Sequence, residues 1–174
     1  PFIADSVLSI GKEKEPISGE RVQSMLYNHM QERSAVSDAL LPSRNVGIVW
    51  SGTGALPYSS WAVGVFNNWL DENQDFEESA SQFVGRLAWA PLRTDDDSSL
   101  LHLGLGYRYS NAKEGFRYRT EPEFNQSPVF VDTGFDTPTD VLPANNLQTW
   151  NAELSWRRGP LWLASEYTRT AVDH

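Results

Sequence analysis

Apolar residues recur along much of this chain with a period of two, in runs separated by turns. Residues 81–111, SQFVGRLAWAPLRTDDDSSLLHLGLGYRYSN, hold two such runs around a short acidic turn. In the second, Leu101, Leu103, Leu105, Tyr107 and Tyr109 fall on one side, and His102, Gly104, Gly106 and Arg108 on the other. In the first, Phe83, Leu87 and Trp89 share a face with Gly85, while Arg86 points the opposite way beside Val84, Ala88 and Ala90. Alternation with two unlike faces predicts an antiparallel hairpin.

The same reading predicts further strands. Residues 4–15 form a first one, ended by Pro16, which has no N–H to donate to a ladder. Its faces are mixed: Leu8, Ile10, Lys12 and Lys14 share one parity, and Val7, Ser9, Gly11, Glu13 and Glu15 the other, so a clean apolar face would require a bulge. Residues 17–42 form a long connection. Within it 18–33 reads as partly helical, with Ser18 as N-cap and Val22, Met25, Leu26 and Met30 at helical spacing, a small helix packed on a loop. Strands follow over 45–51 and 59–70, the latter with Trp61, Val63 and Val65 opposite Ala62, Gly64 and Phe66. An acidic loop covers 71–79. After the central hairpin, 112–146 is a 35-residue connection with four prolines and six carboxylates, a length that implies a function or disorder. Strands at 147–157 and 161–170 flank the tight turn Arg158-Gly159-Pro160.

Long and short connections alternate along the chain, at 16–44, 52–58, 71–79, 92–98, 112–146 and 158–160. In an up-and-down sheet that order collects the longer loops at one end and the tight turns at the other, as in outer-membrane barrels. The fold expected is therefore all-β, an antiparallel up-and-down transmembrane β-barrel of which this chain holds about seven strands. The alternative is a secreted or periplasmic β-sandwich that binds a ligand, carbohydrate among the candidates, through its Trp-rich faces. Alternation alone does not separate the two. The scarcity of lysine (Lys12, Lys14 and Lys113) favours the barrel, because an exposed soluble surface carries many.

Composition narrows the function classes. A net charge of −9 is unlike the basic footprint needed to neutralise nucleic-acid phosphates. The chain has no cysteine, and its three histidines, His29, His102 and His174, stand in no metal-binding spacing, so neither metal nor cofactor is expected. No apolar run reaches the ~20 residues of a membrane helix, but a spanning strand needs only ~9 to 11. No catalytic constellation is evident; a hydrolase using Glu153 and Glu166 has nothing in the sequence to set their separation.

Eight segments, in order, carry a family resemblance: GKEKEP at 11–16, MQER at 30–33, PSRNVGI at 42–48, GRLAWAPL at 85–92, LLHLGLGYRY at 100–109, FRYRTEPE at 116–123, FVDTG at 130–134 and ELSWRRGPLWLASEY at 153–167. In these the chain resembles the phosphate-selective porin O and P family of bacterial outer membranes. The resemblance implies a 16-stranded barrel, a homotrimer, in which basic lumen residues draw small anions such as phosphate through a constriction, with outer-membrane lipid and lipopolysaccharide as surroundings. The chain reads as a single partial barrel domain, residues 1–174, of a larger porin.

If the apolar faces meet lipid, parity turns Arg86, His102, Arg108, Glu153, Arg157 and Glu166 towards the lumen. Arg86 and Arg108 then form part of an anion-conducting ladder, or pair with Glu153 or Glu166 to brace the wall. His102 is read as a polar wall residue. Arg33, Arg44, Arg117 and Arg119 are candidates for an entrance or constriction cluster, with Glu121 and Glu123 as competing partners of the last two. Most of the 23 carboxylates lie in loops, which leaves acids and bases balanced in the strands, so selectivity does not follow from strand charge.

Overall fold

A computed structural model describes residues 5–24, 33–42, 44–67, 81–96, 98–112, 115–121, 128–129, 131–134 and 141–173. Its framework is one antiparallel sheet of seven strands. These are β1 (Ser6–Glu13), β2 (Asn45–Thr53), β3 (Ser59–Asn67), β4 (Ser81–Arg93), β5 (Ser99–Asn111), β8 (Asn146–Arg158) and β9 (Leu161–Asp173), side by side in that order. A two-stranded ribbon, β6 (Arg119–Thr120) with β7 (Val131–Asp132), lies within the connection from β5 to β8. β4, β5, β8 and β9 each run 13 residues, long enough to cross a hydrocarbon layer as tilted strands. Among the described residues no helix is long and apolar enough to cross a membrane.

The central hairpin pairs Phe83 with Tyr109, Gly85 with Tyr107, Leu87 with Leu105 and Trp89 with Leu103, so the two predicted apolar faces coincide. Beyond Trp89 the register slips by one, and Leu92 pairs with Leu101. The slip falls at Ala90 and Pro91, where the proline has no N–H for the ladder, and it returns Leu92 to the apolar face. In β1 no bulge is needed. Leu8 and Ile10 pair with Trp50 and Ile48 on the apolar face, and Lys12 ends that face at the loop end.

The apolar face is open: Leu87, Leu105 and Tyr167 are each about two-thirds exposed, at 64%, 65% and 66%. No second sheet covers it among the described residues. The opposite face carries the buried core. Ile17 and Leu41, from the connection between β1 and β2, pack with Val49, Phe66 and Val84 of the sheet. That connection folds back over the polar face through two short helices, α1 (Gly19–Val22) and α2 (Ala35–Leu40). Ser18 caps α1 by accepting from the Arg21 N–H, as its N-cap position predicts, and Ser34 caps α2 by accepting from that of Ser37.

Two expectations change. The helix expected over 18–33 stops at Val22, where Gln23 turns extended (φ −58°, ψ 143°), and α2 was not anticipated. Met25, Leu26 and Met30, whose spacing suggested the longer helix, lie outside the described residues, as do 68–70 and the acidic loop 71–79. The long connection after β5 also has structure. The β6–β7 ribbon and a bridge between Phe116 and Leu142 organise it, and Phe116 packs on the small cluster of Ala112, Ala144 and Leu147.

Candidate functional site: the inner wall and the loop seated on it

Cross-strand register places Ala62, Arg86, Gly106, Asn151 and Thr168 in one row of the polar face. The next row towards the tight turns holds Ala88, Gly104, Glu153 and Glu166. Small residues in these rows leave room for a second layer, and the connection after β1 fills it. The Ile17 carbonyl occupies the space that a side chain at position 106 would take. Only glycine permits that approach.

Glu153 and Glu166 face each other directly on β8 and β9, a like-charge pairing that is unfavourable by itself. Donors gather round it. Arg86 grips Glu153 with two parallel bonds, Nε to Oε1 at 2.7 Å and Nη2 to Oε2 at 2.6 Å, and His102 Nε2 lies 3.1 Å from Oε2. The Gly19 N–H donates to Glu153 Oε1 at 2.8 Å, the Glu20 N–H to Glu166 Oε1 at 2.8 Å, and the Ser18 hydroxyl to Glu166 Oε2 at 2.7 Å. Asn151 Nδ2 adds a bond to Glu166 at 3.2 Å. The first N–H groups of α1, which have no partner inside the helix, are thus satisfied by wall carboxylates.

The other predicted arginine is held differently. Arg108 is buried, and its Nε donates at 2.6 Å to Oε2 of Glu15, a residue with no exposed surface. Asn45 Nδ2 donates to the same carboxylate and, at 2.9 Å, to Gln82. The bracing expected of Glu153 and Glu166 is therefore realised for Arg86 with Glu153. For Arg108 the partner is Glu15, and Glu166 receives loop donors and Asn151 instead of an arginine. Arg157 shares the polar face, in register with Leu100 and Trp162 near the tight-turn end.

At the loop end, basic groups converge. Arg21, 5% exposed, donates to the carbonyls of Pro42 (2.8 Å) and Leu41 (2.7 Å) and pairs with Asp38 at 2.8 Å. Arg33 donates to the carbonyls of Glu20 (3.2 Å) and Gln23 (3.1 Å), and Lys14 to those of Val22 (3.1 Å) and Gln23 (2.7 Å). Burial lowers the Lys14 pKa below its ordinary 10.5, and the positive charges of Arg33, Arg44 and Arg21 lower it further. Glu20, despite a burial that works the other way, is held below its usual range by bonds from Ser37 and Ser34.

Arg117 and Arg119 do not use Glu121, and Glu123 lies outside the described residues. Asp132 across the ribbon is the partner. It accepts two bonds of 2.7 Å from Arg117, and Arg119 lies 3.8 Å away. The Arg117 bonds and the Gly134 N–H bring the Asp132 pKa down to about 2. Parity puts the wall residues on one face, but the sequence assigns no site role to Lys14, Glu15 or Arg21 and marks Ser18 only as a helix cap. The signal available was Gly104 and Gly106, inward positions left empty for something to approach.

The family model for phosphate-selective porin O and P matches residues 5–174. The chain belongs to that family. No curated protein matches the chain. As a porin chain its place is the bacterial outer membrane, and its exposed apolar face is the lipid-facing side of a barrel wall. The family match decides against the sandwich alternative, and among the described residues no second sheet packs on that face. Glu153 and Glu166, considered as a hydrolytic pair, are direct neighbours engaged by the loop, in a family of channels.

Proposed function

We propose that this porin chain contributes to the wall and mouth of a passive channel that admits small anions of the phosphate class, assembled as a homotrimer with lipopolysaccharide around it. The observation that carries the anionic preference is the basic cluster at the loop end. Lys14 shares this end with Arg21, Arg33 and Arg44: burial is the first cause of its lowered pKa and their positive charges add to it, while Asp38 and Glu20 offset part of that charge. Along the wall, Arg86 and Arg108 each meet a carboxylate, so the wall supplies polarity and width while the mouth supplies sign. A rim of basic groups raises the local anion concentration where solutes enter.

Reversal potentials across planar bilayers under a KCl gradient, measured with the complete porin, test this reading. Anion preference is expected, shifting towards zero in Lys14→Gln and further in Lys14→Gln/Arg44→Gln. A cation-preferring channel sinks the anionic assignment, and absence of conductance sinks the pore.

A further inference from the structure

Arg86 and Glu153 are not on neighbouring strands. β5 separates β4 from β8, so the two backbones stand about 10 Å apart. The guanidinium reaches its partner because Gly106, in register with Arg86, and Gly104, in register with Glu153, put no side chain in the way. The carboxylate lies in a slot between two glycines. A Cβ at Gly104 on the wall would come within 2.5 Å of Glu153 Oε2, and one at Gly19 on the loop within 2.6 Å of the same atom. β4, β5 and β8 each have a strand on both sides, so this geometry belongs to the interior of the sheet.

The pair is electrically lopsided. The Glu153 side chain is 3% exposed, whereas those of Arg86 and His102, which both face it, are 15% and 28% exposed. Arg86 also borders a hollow of about 320 Å³ with Ser51, Thr53 and Ser60 of β2 and β3. Ions in the lumen therefore meet the cationic end of the pair, while its anionic end lies under the seated loop, beside Glu166 and the Gly19 N–H. The other wall pair has no such polarity: Arg108 and Glu15 are 9% and 0% exposed, both hidden as in a simple brace.

We infer that Glu153 is a specificity-determining residue of the channel, acting through Arg86 without touching the permeating ion: from beneath the loop its carboxylate cancels the charge that Arg86 presents to the lumen. The inference rests on the pore reading above. Arginine keeps its charge at every working pH, so without Glu153 the middle of β4 would set an uncompensated cation against the conduction path and strengthen anion selection there. With Glu153 in place the wall stays near neutral at this level.

Reversal potentials and single-channel conductance of the complete porin, recorded under a KCl gradient, test the role. Glu153→Gln keeps the side-chain shape and a carbonyl to accept from Gly19 but removes the charge. It is expected to raise the ratio of anion to cation permeability by about threefold or more, since one charge ~7 Å away in water enriches a monovalent counter-ion about that much. Arg86→Gln is expected to shift the ratio the other way, and Arg86→Gln/Glu153→Gln to return it close to the wild-type value. Two single variants that shift it in the same direction, each with raised conductance, overturn the role in favour of a brace for the loop. Ratios unchanged in all three variants also overturn it. If Glu153→Gln does not assemble, Arg86→Gln decides against the double variant, and equal ratios in those two overturn the role. A cation-preferring wild type removes the anionic reading above and leaves these opposite shifts to decide Glu153, whereas a wild type without conductance overturns both.

Discussion

Glu15 and Arg108 stand 93 positions apart and meet in a buried site, Glu15 with no exposed surface and Arg108 with little. Removing one partner of a buried ion pair leaves an uncompensated charge and costs ~3 to 5 kcal/mol, whereas removing both is far milder. Glu15→Gln and Arg108→Met are each expected to lower the urea midpoint of the folded porin strongly, and the double variant to recover much of the loss. A double-mutant cycle with no coupling between the two sites would refute the pair. Parity sufficed to turn Arg108 inward, because the side-chain period of a strand is fixed. Its partner was not legible, since Glu15 lies past the end of β1 at Glu13, where alternation no longer sets the direction of a side chain.

At the scale of elements, the strands followed from alternation, and the physical reason for the one departure is local. Pro91 cannot enter the ladder, so the register slips where it stands. The connection after β1 was harder to read, because its form depends on what lies beneath it. α1 is only four residues long, and its stability comes from Glu153 and Glu166 rather than from helical periodicity. Gly106 is the point at which this dependence is most exposed. Gly106→Val places a side chain where the Ile17 carbonyl lies and is expected to lift the loop from the wall, with Gly106→Ala having a graded effect. Single-channel conductance should rise in both, more in the valine variant. An unchanged conductance with the fold intact would mean that the seated loop does not narrow the conduction path.

For the molecule as a whole, the sorting of long and short connections was the most informative sequence feature, since it reflects a global property of a barrel wall, its two unlike ends. Charge was less informative. Strand acids and bases balance in composition, and in the structure Arg86 and Arg108 are matched by Glu153 and Glu15. In the proposed reading the anionic preference comes instead from Lys14, Arg21, Arg33 and Arg44; the sequence marks Arg33 and Arg44, and only the folded loop adds Lys14 and Arg21. This assigns a pH dependence to permeation. Because Lys14 is depressed below 10.5, it loses its charge at lower pH than an ordinary lysine, while the arginines stay charged. Anion preference should therefore fall as pH rises through the alkaline range below 10.5, and Lys14→Gln should flatten that part of the profile. A wild-type profile level to pH 10.5 would contradict the assignment.

The bonds that seat the loop join Ser18, Gly19 and Glu20 to β8 and β9, across 148, 134 and 146 positions of chain. Contacts so distant in sequence form only after the intervening strands have paired, because the chain between them must first be ordered. Assembly thus has a direction: the first connection is made early and is seated only when β8 and β9 bring their carboxylates to meet it. Until then the wall exposes two adjacent anions and the loop its free N–H groups, each hydrated. The wall and its loop thus complete one another in a step that follows the pairing of β8 with β9.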